Sequence, residues 1–154
     1  MKYPSAPEIA AAAWLNTDSP LSMRALRGRV VMLHAFQMLC PACVTRATPQ
    51  ASAVADCFAD EDFQLIGLHT VFEHHRVMNP DALRVYVAEF QLQFPIAIDQ
   101  PAENSPVPVT MARLELQGTP STVLVDRTGN IRFSHFGILS DMQLGAMVGQ
   151  LLAE

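Results

Sequence analysis

The chain has 154 residues, of which half are hydrophobic and 16% are charged, and its formal net charge is −5. This length supports one domain with a buried core and is too short for two, so we expect residues 1–154 to form a single domain whose segment 1–13 is loose. The acidic balance excludes the basic surface that a nucleic acid or an anionic membrane would need as a partner.

The N-terminal residues predict where the protein acts. One lysine is followed by prolines and an acid at the place where a signal peptide has its apolar core, which predicts a cytoplasmic protein. A longer precursor with a transport signal would make it periplasmic instead. No apolar run approaches the ~20 residues of a membrane span, so we expect no membrane partner.

The predicted elements alternate between strands and helices. After a short helical turn at residues 21–28, β-branched apolar runs predict strands, and apolar residues three or four positions apart predict helices. The predicted strands span residues 30–36, 63–69, 95–99, 122–126 and 131–136. The predicted helices span residues 41–59, 81–90, 111–116 and 140–153. This order predicts an α/β domain, with a central mixed sheet and helices on both of its faces.

Cys40 and Cys43 stand three residues apart where a predicted strand meets a predicted helix, and Pro41 suits the first turn of that helix. Free amides and the helix dipole at this position stabilise a thiolate at Cys40, which is then a nucleophile. Cys43 lies one helical turn further on and can attack a mixed disulfide formed by Cys40. The spacing therefore predicts a redox pair in which Cys40 attacks and Cys43 resolves.

A CxxC pair is also half of a zinc site, which needs two further ligands. Cys57 stands alone, and His74 and His75 are adjacent, so neither set supplies the usual second half. We therefore expect no metal and no cofactor beyond the redox pair, with a non-enzymatic module for metal binding or redox sensing as an alternative. Cys57 is nearly four helical turns from the pair and is expected to be a small buried apolar residue.

Two segments carry a family resemblance. Residues 30–43 form a strand followed by Phe-x-x-x-Cys-Pro-x-Cys and a helix, and they resemble the active-site segment of thioredoxin-like proteins, in particular the TlpA-like oxidoreductases. Residues 118–121, Gly-Thr-Pro-Ser, and the hairpin after them are similar to the cis-proline loop of that family. With both motifs in the right order, the resemblance covers about residues 14–152. It implies a thioredoxin-like fold and thiol–disulfide exchange.

The resemblance also implies a docking surface. Pro120 would follow a cis peptide bond and lie opposite Cys40, and the backbone of Thr119 would pair with an extended substrate segment, with Pro41 completing the surface. The alternative is that residues 118–120 form an ordinary turn before a strand, because most prolines are trans.

Two residues are candidates to take the proton of Cys43. His34 lies six residues before Cys40, where thioredoxins carry a buried acid, and a histidine there would titrate near neutral pH; the alternative is a core histidine bonded to the backbone. Glu73 follows a predicted strand, and the resemblance to TlpA-like proteins implies that a glutamate there lies close to the cysteines. The alternative is that Glu73 is a solvated loop residue without a role in proton transfer.

Together these residues predict an oxidoreductase that acts on the thiols or disulfides of a protein or peptide partner, with an unidentified electron donor. Pro41 and Ala42 add no charge that stabilises a thiolate, which favours reduction over oxidation of the partner. A thiol peroxidase of the same fold is the alternative enzyme. Peroxiredoxins carry a Pro-x-x-x-Thr/Ser-x-x-Cys pattern, which is absent before Cys40.

Overall fold

The computed structural model describes residues 2–154, so Met1 of the expected loose segment lies outside the described residues. The described chain forms one six-stranded sheet and four α-helices. The strands are β1 (Ala11–Leu15), β2 (Val30–Phe36), β3 (Phe63–His69), β4 (Ile96–Asp99), β5 (Ser121–Val125) and β6 (Ile131–Phe136). The helices are α1 (Thr48–Cys57), α2 (Pro80–Glu89), α3 (Val109–Arg113) and α4 (Asp141–Ala153), with a π-helical segment, Cys43–Ala47, directly before α1.

The sheet is mixed and has the strand order β1-β4-β3-β2-β5-β6. β2 pairs with β3, and β3 with β4, in parallel. The pairs β1 with β4, β2 with β5 and β5 with β6 are antiparallel. Every strand and helix predicted from the sequence is present, with ends displaced by a few residues. The predicted fold class is therefore confirmed.

The N-terminal segment is more ordered than expected. Residues from Ala11 onward form β1 at the edge of the sheet. Before it, the carboxylate of Glu8 accepts hydrogen bonds from the backbone N–H groups of Met23 and Arg24 at 2.9 and 2.8 Å. The expectation of a loose segment over residues 1–13 is therefore wrong for these residues. The run of alanines that opens β1 has no alternation of apolar and polar residues and gave no strand signal.

The sheet separates two hydrophobic clusters. On one face, Met32 and Phe36 of β2 pack with buried residues of α1, α2 and α4. On the other face, Leu33 of β2 and Ile66 of β3 pack with Leu114, which follows α3, and with the turn before β2. All seven residues of β2 are buried, as expected for a central strand covered on both sides. The carboxyl end of β2 therefore delivers its side chains to a desolvated site.

None of the described helices is long and apolar enough to span a membrane.

Candidate active site

Cys40 lies just beyond the carboxyl end of β2. Its backbone N–H donates to the carbonyl oxygen of Gln37 at 3.1 Å, which closes a tight turn, and its side chain is half-buried. The backbone N–H of Cys43 donates to the Sγ of Cys40 at 3.3 Å. An amide at the first turn of a helix that points at a sulfur atom favours the thiolate form of that sulfur.

Cys43 is in a different environment although it is only one helical turn away. Its side chain is fully buried, and the cysteines are free thiols. Burial raises the pKa of the Cys43 thiol to about 12, and its hydrogen bond with Cys40 acts in the same direction. At neutral pH the pair therefore combines a half-exposed sulfur that receives an N–H with a buried sulfur that keeps its proton.

The loop before β5 lies against the cysteines. The Thr119–Pro120 peptide bond is cis, and the Sγ of Cys40 is 3.6 Å from the carbonyl oxygen of Thr119, to which its thiol donates. The ring of Phe136 covers Gly118 so closely that an added Cβ would lie 2.8 Å from a ring carbon. A side chain at position 118 would therefore have to displace the half-exposed ring of Phe136.

Gln37 connects this loop to the rest of the site. Its side-chain Nε2 donates to the Oγ1 of Thr119 at 3.1 Å, and its Oε1 accepts from the backbone N–H of Phe72 at 3.3 Å. Only 1% of the residue is exposed. No structural role for Gln37 was predicted from the sequence. The pattern that could have indicated one is a polar residue placed directly after a strand of seven apolar or aromatic positions and before the cysteines.

His34 is a neutral core residue. Its Nε2 lies 2.9 Å from the Oγ1 of Thr48, and its ring stacks on Phe36 with ring centroids 5.2 Å apart. Gly67 lies opposite on β3, where an added Cβ would come within 2.7 Å of Phe94. Burial lowers the pKa of His34 to about 4. The expectation that His34 titrates near neutral pH is therefore wrong, and its partner is a hydroxyl group rather than the backbone.

Glu73 lies in the exposed loop after β3 and forms no hydrogen bond or ion pair with any of residues 2–154. This position agrees with the alternative of a solvated loop residue and gives no contact with the cysteines. The nearby buried polar group is His69, whose Nε2 accepts the backbone N–H of Met38 at 3.1 Å. Burial lowers the pKa of His69 to about 4, so it is a neutral acceptor that orders the approach to Cys40.

Cys57 is exposed, so the expectation of a buried position is wrong. Cys57 is the last residue of α1. The buried side of α1 carries Ala51 and Val54, and Phe58 packs against the same hydrophobic cluster as these two residues. Cys57 lies one position before Phe58 and so points away from the core. Among residues 2–154, no three histidine, cysteine or acidic side chains are placed to hold a metal ion.

The surface around Cys40 is apolar. Pro41 is exposed at the start of the helix, and Leu39 is 57% exposed. On the other side of the cis-proline loop, Phe136 and Ile138 are 53% and 42% exposed. The backbone N–H of Gly137, between them, donates to the carbonyl oxygen of Pro120 at 2.8 Å and fixes this segment beside the loop.

Comparison with known proteins identifies the family. The Redoxin family model matches residues 4–146. The chain belongs to the Redoxin family. This Redoxin protein is also similar to a thioredoxin-like superfamily protein of known structure, with 42% identity, a TM-score of 0.95 and coverage of 98% of this chain and 97% of the other. A thiol-disulfide isomerase from Corynebacterium glutamicum is 46% identical, with a TM-score of 0.91 and 97% of both chains covered.

Two curated relatives are much longer proteins. DipZ of Mycobacterium tuberculosis is 29% identical over 126 residues, which cover 80% of this Redoxin chain and 17% of DipZ. NHL repeat-containing protein 2 of Bos taurus is 30% identical over 127 residues, which cover 80% of this chain and 16% of that protein. The chain thus spans about a sixth of the length of these relatives. It has the thioredoxin-like fold in the form found in thiol–disulfide oxidoreductases.

Proposed function

We propose that this Redoxin protein catalyses thiol–disulfide exchange with a protein or peptide partner, with Cys40 as the attacking thiol and Cys43 as the resolving thiol. The contrast between the two sulfurs carries the proposal. Cys40 is half-exposed and receives the N–H of Cys43 at 3.3 Å, whereas Cys43 is buried and its pKa is raised to about 12. Of the two, only Cys40 is both accessible to a partner and in contact with a backbone N–H donor.

The reaction proceeds in two exchanges. The Cys40 thiolate attacks one sulfur of the partner disulfide, forms a mixed disulfide and releases the other partner sulfur, which takes up a proton. Cys43 then attacks the Sγ of Cys40, and the departing partner sulfur takes up the proton that Cys43 gives up, so that the second partner thiol is released as the Cys40–Cys43 disulfide closes. Two electrons pass from the cysteine pair to the partner, and an external dithiol donor reduces the pair again.

The apolar surface around Cys40 supports a protein or peptide as the partner. Exposed Leu39, Phe136 and Ile138 lie beside the cis-proline loop, where a chain segment that carries a disulfide would contact them. Pro41 and Ala42 add no positive charge to the pair, which supports reduction of the partner as the direction of the reaction.

The test uses reduction of insulin by dithiothreitol, with catalysis followed as precipitation of the insulin B chain. The wild type and Cys57→Ser, the matched control with an exposed cysteine, should both catalyse it. Cys40→Ser should lose all catalysis, and reduced Cys43→Ser mixed with insulin in the absence of dithiothreitol should accumulate a mixed disulfide at Cys40 that mass spectrometry detects. An adduct that forms at Cys43 in Cys40→Ser, or stoichiometric zinc that Cys40→Ser abolishes, would contradict the proposal.

A further inference from the structure

Gln37 joins three segments of the chain at the candidate active site. Its backbone carbonyl oxygen accepts the N–H of Cys40, its side-chain Nε2 donates to Thr119, and its side-chain Oε1 accepts the N–H of Phe72. The partners therefore come from the cysteine turn, the cis-proline loop and the loop after β3.

An amide suits the two side-chain bonds. One end accepts from a backbone N–H and the other donates to a hydroxyl oxygen, and an amide has one group of each kind. An apolar side chain of the same length would leave the Phe72 N–H without a partner in a site where Gln37 is 1% exposed. A partly buried donor left without an acceptor costs free energy, so the polar residue at this position has a specific structural consequence.

That consequence concerns the position of Thr119. The Gln37 bond holds the Thr119 side chain on the inner side of the loop, while the Thr119 carbonyl oxygen lies 3.6 Å from the Sγ of Cys40. One residue thus fixes both the turn that presents the attacking sulfur and the backbone beside it. A shift of this loop would change the distance between the sulfur and the backbone that an extended partner meets.

We propose that Gln37 is a positioning residue that holds the Thr119 backbone in register with Cys40, and so selects disulfides carried by an extended chain over small disulfides. The inference rests on the proposed thiol–disulfide exchange. An extended chain must contact the loop and the sulfur together, whereas a small disulfide needs only the sulfur. A looser loop therefore lowers the rate for a disulfide in an extended chain and leaves the rate for a small disulfide almost unchanged.

The test compares kcat/KM for a cystine-containing peptide with kcat/KM for 2-hydroxyethyl disulfide. Gln37→Met removes both side-chain hydrogen bonds and, through the lost bond to Thr119, should lower the value for the peptide about tenfold and change the value for the small disulfide less than about twofold. Gln64→Met is the matched control, because Gln64 lies near the opposite end of β3 and its Nε2 donates to the neighbouring Leu65 carbonyl oxygen. It should change neither value.

A second variant covers the case in which Gln37→Met folds poorly. Thr119→Val removes the same hydrogen bond from its other partner and should show the same selective loss, with little further loss when the two substitutions are combined. Equal losses on both substrates, or no loss on the peptide in either variant, would overturn the role of Gln37 while leaving the exchange reaction intact. A wild type that reduces neither substrate would overturn the exchange reaction and this inference together.

Discussion

The two ends of the central strands β2 and β3 are stabilised by different kinds of polar contact. Beside the carboxyl ends, Gln37 and His69 are buried, and each forms hydrogen bonds with particular groups. Near the amino ends, Arg127 pairs with Asp62 at 3.1 Å, and the Asp62 side chain is 71% exposed. The polar groups near the cysteines are therefore desolvated and specific, whereas the Arg127–Asp62 pair at the far end is screened by water.

This difference predicts unequal effects of substitution. A buried donor that loses its acceptor has no water to replace it, so its loss is expensive. An exposed ion pair is replaced by hydration at little cost. The difference between the two ends can be tested by substitutions at each end.

The largest effect is expected for Asp99 at the carboxyl end of β4. Its buried carboxylate accepts from the hydroxyl of Thr70 at 2.9 Å and from the backbone N–H groups of Thr110 and Met111 at 2.8 and 2.9 Å. Asp99→Ala leaves these buried donors without an acceptor and should lower the free energy of unfolding by about 4 kcal/mol in urea titrations. Asp99→Asn, which retains one acceptor oxygen, should cost less. A loss below about 1 kcal/mol for Asp99→Ala would remove the distinction between the two ends.

Acid is expected to lower the free energy of unfolding through two buried histidines, by a smaller amount for each histidine than the loss expected for Asp99→Ala. The pKa values of His34 and His69 are about 4 in the folded protein, below the usual 6.5, so the unfolded chain binds protons between these values while the folded chain does not. Their contribution to stability is complete above pH 6.5 and is lost as the pH falls to 4, by up to about 3 kcal/mol for each histidine.

The variant His34→Leu isolates one of these contributions. Between pH 7 and pH 4.5 its free energy of unfolding should fall by about 2 to 3 kcal/mol less than that of the wild type, as measured by urea unfolding at both pH values. Identical falls in the wild type and in the variant would show that His34 titrates alike in the folded and unfolded chains.

The smallest effect is expected at the amino ends of the strands. Asp62→Ala removes the ion pair with Arg127 and should change the free energy of unfolding by less than about 1 kcal/mol, with no change in insulin reduction. The difference from the wild type should shrink further at 1 M salt. A loss as large as that of Asp99→Ala would mean that this end is as tightly coupled to the fold as the other.

The sequence predicted those parts of the molecule that depend on neighbouring residues. The β-branched run at residues 30–36 and the proline after Cys40 are local signals. The strand that the first predicts and the helix that the second predicts are both present. The contacts of Gln37 are not local, because Phe72 and Thr119 lie 35 and 82 positions away along the chain. A sequence pattern holds no information about such partners until the fold brings them together.

The surroundings of the two candidate proton partners, His34 and Glu73, were not predictable from the sequence for a related reason. The position of His34 before the cysteines predicted a buried site, and His34 is buried. The protonation of His34, however, depends on how fully neighbouring rings exclude water, which the spacing of residues in the sequence does not show. His69 and Glu73 follow one another closely in the sequence, yet one is buried and the other exposed. The difference is that β3 ends at His69, so His69 still belongs to the sheet whereas Glu73 lies in the loop after it.

The most direct test of the central claim is the order in which the two thiols react with iodoacetamide. The Cys57→Ser variant removes the exposed third thiol, and mass spectrometry of peptides from the reduced protein at pH 7 reports each site separately. The half-exposed Cys40 should be alkylated first, and Cys43 should stay unmodified until the protein is unfolded. Alkylation of Cys43 before Cys40, or at the same rate, would contradict the assignment of attacking and resolving thiols.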